Sequence, residues 1–126
     1  MQKYIKLIAW LLIIFYISLI PSEKIPDYQL LIIPYFDKMV HFGIYFVLSI
    51  LFASLLIQLK YNKLQTYIIV ILPCAIIGGG IEILQNILPV HRSGTHLDFL
   101  ADFLGTITGL FIYFKLLINS KIDKYL

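Results

Sequence analysis

Three short polar groups in this chain carry the side chains that could do chemistry. The first contains Lys38 and, at steps of four residues, Asp37, His41 and Tyr45, which share one stripe of a helix. Histidine titrates near neutral pH, and a neighbouring carboxylate can orient its ring. His41 with Asp37 or Glu82 is therefore the candidate acid and base pair for catalysis.

The other two groups lie farther along the chain. They are Glu82, Gln85 and Asn86, and then Asp98, Asp102, Gly105 and Gly109. Their three- and four-residue spacing predicts that each group occupies one helix face. A carboxylate inside a membrane span costs on the order of 3 kcal/mol and usually faces protein or water. We therefore expect Glu82 and Asp102 to face a common pocket rather than lipid.

Basic residues are expected to share that pocket with the acids. Lys38, His41 and Arg92 are suited to holding a phosphate or carboxylate through charge-assisted hydrogen bonds. Gly105 and Gly109 have the small-xxx-small spacing that lets another helix approach closely. The predicted pocket residues are Asp37, Lys38, His41, Tyr45, Glu82, Gln85, Arg92, Asp98 and Asp102.

The composition indicates that membrane-spanning helices must position these residues. The chain has 126 residues, of which 60% are hydrophobic and 13% charged, and its mean hydropathy is +0.91. Soluble domains carry about a quarter charged residues, so an ordinary soluble domain is excluded. The same composition excludes disorder. No stretch alternates with a period of two, which favours helices over a membrane barrel.

Apolar stretches long enough to span a membrane occur four times. They are Leu7–Ile20, extendable to Tyr4; Met39–Leu59; Tyr67–Ile81, extendable to Leu64–Leu84; and Phe99–Ile118. The first stretch lacks a small-x-small cleavage site, and we expect it to be retained. We therefore predict one domain over residues 1–126, an all-α integral membrane four-helix bundle.

The connection between the first two spans contains a short apolar run, Leu30 to Ile33, between prolines. The run is too short to cross the membrane, so it predicts an interfacial or re-entrant segment. Asp37 and Asp98 have an alternative structural role as N-caps of the second and fourth helices. Cys74 is the only cysteine, so no disulfide can form within the chain.

The distribution of basic residues predicts the orientation of the bundle. Seven of the ten fall on the side of the termini: Lys3, Lys6, Lys60, Lys63, Lys115, Lys121 and Lys124. The positive-inside tendency therefore places both termini in the cytoplasm and the polar groups on the outer side. The inner halves of the spans are predicted to hold no matching polar cluster. We interpret the net charge of +3 as the excess of basic residues predicted to face anionic lipid on the cytoplasmic side. We therefore expect no nucleic-acid partner.

The polar residues resemble the signature of VanZ-like membrane proteins. The resemblance extends from Asp37 to Gly109, more than half of the chain. The matching pattern is Asp37-Lys38-x-x-His41-Phe42-x-x-Tyr45, then Glu82-x-x-Gln85, then Arg92, then Asp98-x-x-x-Asp102-x-x-Gly105-x-x-x-Gly109. Asp102 departs from the family, which often has Asn there, and the first helix has no diagnostic residue. The resemblance implies a bacterial cytoplasmic membrane protein. The protein after which the family is named is associated with low-level resistance to the lipoglycopeptide teicoplanin.

Three functions are compatible with these observations. The first is a cell-envelope protein that binds an anionic lipid-linked or lipidated, teicoplanin-like ligand in a pocket open to the outer side. The second is a membrane-embedded acid and base enzyme acting on a lipid-linked substrate. The third is a structural or accessory protein whose polar residues only pair helices. The oligomeric state stays open.

No known catalytic or metal motif favours the enzyme. The chain contains neither Gly-x-Ser-x-Gly nor His-Glu-x-x-His. Metal ligands drawn from His41, Glu82, His91, His96 and Asp98 would be scattered, because no local ligand spacing joins them. We therefore expect no metal and no cofactor.

Overall fold

The computed structural model describes residues 2–21, 35–88 and 95–126. The predicted all-α class is confirmed, and the described residues contain no strand. The helices are α1 (Gln2–Leu19), α2 (Phe36–Gln58), α3 (Lys63–Ile87) and α4 (His96–Ile112). The interfacial or re-entrant segment predicted between α1 and α2 lies outside the described residues, as does Arg92.

All four helices are long and apolar enough to cross a membrane. The fourth reaches that length because α4 continues without interruption into a π-helical stretch, Tyr113–Leu117. A short 3₁₀ turn, Ile122–Lys124, follows near the C-terminus. The chain is therefore a multi-pass membrane protein.

Polar caps extend α3 and α4 beyond the apolar stretches of the sequence. Asn62 and Gln65 form a reciprocal capping box at the start of α3. Thr95 and Asp98 form another at the start of α4, where the Thr95 hydroxyl donates to Asp98 Oδ2 at 2.6 Å. A capping box satisfies backbone N–H groups that the first turn leaves free. Helices can therefore begin in polar sequence that a hydropathy pattern ignores.

Neither Asp37 nor Asp98 is the N-cap residue of its helix, although Asp98 takes part in the capping box of α4. Thr95 is the N-cap of α4, and Asp98 is the third helical residue, whose side chain accepts a hydrogen bond from the Thr95 backbone N–H. The N-cap of α2 is Tyr35, in a left-handed conformation with φ of 64° and without a side-chain cap bond. Asp37 instead lies in the first turn of α2, where a negative charge is favourable to the helix dipole.

The centre of the bundle is the contact between α2 and α4. A Cβ atom added to Gly105 would lie 2.3 Å from the carbonyl oxygen of Phe42, and one added to Gly109 would lie 2.4 Å from that of Phe46. These separations are far below any normal carbon–oxygen contact. The two helix backbones therefore touch where the small-xxx-small spacing predicts a close approach.

Helix α1 packs on the outside of this pair. Leu7, Ile14 and Ser18 form its buried stripe, whereas most of its other apolar side chains are exposed. The Trp10 indole N–H donates to the Ile44 carbonyl of α2 at 2.9 Å. The Gln85 side-chain amide of α3 donates to the Ser18 carbonyl at 2.8 Å. Polar contacts to both neighbours therefore fix the rotation of α1.

A second polar cluster lies at the end of the bundle that carries both chain termini. Asp123 Oδ1 accepts hydrogen bonds from Ser54 at 2.6 Å and from Tyr113 and Lys3 at 3.2 Å each. The expectation that the inner halves hold no matching cluster is therefore wrong. The carboxylate comes from the C-terminal tail, beyond the last apolar stretch, and the tail folds back onto α1 and α2.

Those contacts affect the ionisation of Asp123. Burial alone would raise the pKa of its carboxyl group, but hydrogen bonds from Ser54 and Lys3 outweigh burial. The pKa of Asp123 is therefore held below its ordinary value. This carboxylate stays charged in the folded chain at neutral pH.

Candidate functional site

Three helix ends meet at the opposite end of the bundle, which we call the site end. It comprises the first turns of α2, the last turns of α3 and the first turns of α4. At its centre, His41 Nδ1 lies 2.9 Å from Asp102 Oδ1 and 4.0 Å from Glu82 Oε1. All three residues are buried. We call them the His41 cluster; each comes from a different helix.

A second ion pair lies nearer the ends of the helices. Lys38 Nζ is 2.5 Å from Asp98 Oδ1 and 3.7 Å from Asp37 Oδ2. The Asp98 side chain is only 1% exposed, and its other oxygen accepts the Thr95 hydroxyl and N–H. This ion pair joins α2 to α4 and gives the buried carboxylate a compensating positive charge at Oδ1, the oxygen that Thr95 does not contact.

Acids outnumber bases among the described residues of the site end. Its carboxylates are those of Asp37, Glu82, Asp98 and Asp102, and the bases in contact with them are Lys38 and His41. A further imidazole, that of His96, lies on the cavity rim. The described part of the site therefore offers an incoming anion no uncommitted permanent positive charge, and the third predicted cation, Arg92, lies outside it.

Several buried polar atoms at this end have no hydrogen-bond partner among the described residues. They include the Tyr45 hydroxyl, both Glu82 carboxylate oxygens and Asp102 Oδ2. Buried polar groups in folded proteins nearly always have a partner. A group outside the described protein residues, such as water, an ion or a ligand, is needed to satisfy these atoms.

Gly78 on α3 leaves the space in which these atoms meet. A Cβ atom at this position would lie 2.9 Å from Asp102 Oδ2 and 3.4 Å from the Tyr45 hydroxyl. Any side chain here would displace the carboxylate. The run Gly78-Gly79-Gly80 therefore includes one glycine whose missing side chain shapes the site.

A cavity of about 290 Å³ opens between α3 and α4 beside the cluster. Its lining consists of Gly79, Glu82, Ile83, Asn86, Thr95, His96 and Phe99. Because α3 ends and α4 begins at the site end, Asn86, Thr95 and His96 form the outer rim. Gly79 and Phe99 lie deeper. The cavity is therefore polar where it meets the membrane surface and apolar toward the membrane centre.

The structure brings together most of the residues predicted for the pocket. Gln85 is the exception, since its amide turns to α1 and the Ser18 carbonyl. Two residues on one helix face can therefore contact different neighbours. The residues brought to the site end are Asp37, Lys38, His41, Tyr45, Glu82, Asp98 and Asp102.

Sequence reasoning missed two contributors to this end of the bundle. Thr95 follows a recognisable signal, a threonine three residues before an acid, which is the capping-box pattern. His96 lines the cavity rim, although the sequence presents it only as a scattered metal-ligand candidate. Its role depends on the pairing of α3 with α4, which no local pattern reveals.

The His41 cluster also has the composition of a metal site. One ligand atom from each of His41, Glu82 and Asp102 lies within 4.8 Å of the others, and Asp37, His41 and Asp98 form a second such group. The sequence predicted no metal because each group joins ligands from different helices, and no local spacing connects them. Their convergence is a product of tertiary packing.

Comparison with family models, curated proteins and solved structures found no match to this chain. The resemblance to VanZ-like proteins therefore stays a prediction from the residues at the site end.

Proposed function

We propose that this chain is a VanZ-like protein of the bacterial cytoplasmic membrane that binds the head of a lipid-linked or lipidated, teicoplanin-like ligand at the site end. The observation that supports this proposal is the cavity between α3 and α4. Its polar rim and apolar depth match an amphiphile whose head lies at the membrane surface and whose acyl chain enters the hydrocarbon.

Hydrogen bonding, rather than simple charge attraction, dominates recognition in this proposal. Lys38 and His41 already contact Asp98 and Asp102, so these bases orient carboxylates. The Glu82 carboxylate and the Asn86 amide oxygen, which line the cavity, accept hydrogen bonds from hydroxyl or amine groups of the ligand head. Arg92 is proposed to supply the positive charge that a phosphate or carboxylate needs.

Both termini are proposed to lie in the cytoplasm, with the site end outside. The excess of basic residues on the side of the termini supports this orientation. It can be tested with single cysteines at Lys121 and Leu97 in a Cys74→Ala background. A membrane-impermeant thiol reagent on intact cells should label Leu97→Cys and not Lys121→Cys; the reverse pattern would contradict the orientation.

Filling the cavity tests the binding proposal. Among the described residues, a Cβ atom added at Gly79, which lines the cavity, meets only the Phe99 ring, at 3.7 Å, whereas one added at Gly80 meets nothing within 4 Å. Gly79→Leu should weaken binding of teicoplanin or a polyprenyl phosphate by more than about tenfold. Gly80→Leu is the matched control and should bind like the wild type.

The measurement is a titration of purified protein in detergent micelles, with a glycopeptide that lacks the acyl chain as the negative ligand. Equal affinity of the Gly79→Leu and Gly80→Leu variants would contradict the proposed cavity. Absence of wild-type binding to both lipidated probes would contradict the proposed function.

An acid and base enzyme is the second candidate. The contact of 2.9 Å between His41 and Asp102 favours it, because a buried carboxylate fixes the orientation of an imidazole that transfers protons. Wild-type protein and His41→Ala would be incubated with envelope lipids and the lipids compared by mass spectrometry. A product that requires His41 would support the enzyme, and identical lipid profiles would contradict it.

A further inference from the structure

We infer that His41, Glu82 and Asp102 bind one divalent transition-metal ion at the site end. The three side chains come from α2, α3 and α4 and offer one nitrogen and two carboxylate ligands. Imidazole and carboxylate together suit Zn²⁺, Mn²⁺ or Fe²⁺, whereas Ca²⁺ and Mg²⁺ favour all-oxygen sites.

The distances between ligand atoms in the His41 cluster are close to those required around one bound ion. Two ligands at about 2.1 Å from one ion lie about 3.0 to 3.4 Å apart in octahedral or tetrahedral geometry. His41 Nδ1 is 2.9 Å from Asp102 Oδ1 and 4.0 Å from Glu82 Oε1. These values lie on either side of the required range, so small side-chain rotations would complete the geometry.

The charges of the cluster provide a reason for an ion to bind. Lys38 is the nearby permanent cation among the described residues, and it lies 2.5 Å from Asp98. Glu82 and Asp102 therefore depend on His41 alone for compensation within that part of the chain. Two carboxylates held within membrane spans are costly, and one divalent ion would neutralise both.

Unpartnered atoms independently indicate a missing partner. Both oxygens of Glu82 and Asp102 Oδ2 are buried without a hydrogen bond to any described residue, and each of the two residues is more than nine-tenths buried. The Tyr45 hydroxyl, 1% exposed as a residue, is likewise unpartnered. A bound ion with a coordinated water would satisfy the carboxylates and place a polar group beside Tyr45.

The alternative grouping of Asp37, His41 and Asp98 is less suitable for a metal. Asp98 already receives the Lys38 ammonium and the Thr95 hydroxyl. Binding an ion there would require that ammonium group to leave. Glu82, in contrast, lines the open cavity between α3 and α4, which gives an ion a path from the surface to the His41 cluster.

Metal titration tests the inference. Full-length protein in detergent micelles would be stripped with a chelator and titrated calorimetrically with Zn²⁺, Mn²⁺, Mg²⁺ and Ca²⁺. We expect one Zn²⁺ per chain, weaker Mn²⁺ binding, and no binding of the other two ions. His41→Ala, Glu82→Gln and Asp102→Asn should each weaken Zn²⁺ binding by more than about tenfold.

Two controls separate this site from other sources of binding. Asp37→Asn should retain Zn²⁺, which excludes the alternative grouping. The double variant His91→Ala/His96→Ala should also retain it, which excludes the other two histidines of the chain. Retained wild-type affinity in the three cluster variants, or lost affinity in either control, would overturn the assignment.

Measurements on the wild type alone keep the inference falsifiable if a cluster variant does not fold. Co²⁺ bound to the wild type should show visible absorption bands of a nitrogen and oxygen site, and Zn²⁺ should raise Tm. Absence of stoichiometric Zn²⁺ or Co²⁺ binding would overturn the inference. Because no lipid is added, that result would leave the proposed lipid binding intact.

Discussion

At the scale of single residues, the buried Asp98 carboxylate of α4 is stabilised by a charged partner on α2. The Asp98 side chain is 1% exposed and depends on Lys38, 2.5 Å away. Removing one member of a buried pair leaves the other desolvated, whereas replacing both can be neutral. The pair therefore provides a way to separate a structural role of the polar residues from a functional one.

We predict that Lys38→Met destabilises the chain by roughly 2 kcal/mol, since Lys38 is partly exposed and the cost is smaller than for a fully buried pair. The double variant Lys38→Met/Asp98→Asn should recover most of that loss. Denaturant unfolding in detergent micelles measures both. Equal losses for the single and double variants would show that Asp98 does not depend on Lys38.

At the scale of elements, backbone contact between α2 and α4 determines which polar groups can meet. Gly105 faces the carbonyl of Phe42, the residue that follows His41, and Gly109 faces Phe46 and Ser49. This proximity brings Asp102 within hydrogen-bond distance of His41. The glycines therefore position the site although neither carries a functional group.

We predict that Gly105→Ala lowers stability by at least about 2 kcal/mol, because the methyl group would lie against backbone that cannot rotate away. Gly43→Ala is the matched control on α2, since nothing lies within 4 Å of its added Cβ. Alanine favours helix over glycine, so this control should be neutral or stabilising by up to about 1 kcal/mol. Tm measured in micelles compares the variants, and equal Tm changes would contradict the close contact.

On the scale of the whole molecule, the C-terminal tail closes the end opposite to the site. Asp123 joins Lys3 at the start of α1, Ser54 in α2 and Tyr113 after α4. These contacts tie together segments that are far apart in sequence. The described part of the bundle therefore has a cluster of charged residues at each end.

We predict that this tail contact depends on pH through Asp123. The pKa of Asp123 is lowered on folding, so its stabilising contribution is present above the unfolded pKa of about 3.9 and is lost as pH falls through the lower folded value. Asp123→Asn should therefore lower Tm at pH 6 and have a smaller effect near pH 2. Thermal unfolding from pH 2 to 6 measures this, and a Tm difference that does not change with pH would contradict it.

Local patterns in the sequence were sufficient to predict the four helices and to identify most of the residues that lie at the site end. Hydropathy over about 20 residues determines membrane insertion, and the three- and four-residue spacing of Asp37, His41 and Tyr45 determines a shared helix face. These properties depend only on residues within a few turns of each other. The four helices and the gathering of these polar stripes could therefore be predicted.

Tertiary structure alone decided which groups on those faces became partners. The turn of Gln85 toward Ser18, the return of Asp123 to Lys3, and the distance of 2.9 Å between His41 and Asp102 all join distant segments. Such contacts depend on helix rotation and separation, which are set by packing at positions such as Gly105. Residue spacing along the sequence determines which side chains share one face of a helix. The helix that packs against that face is determined by how all the helices fit together.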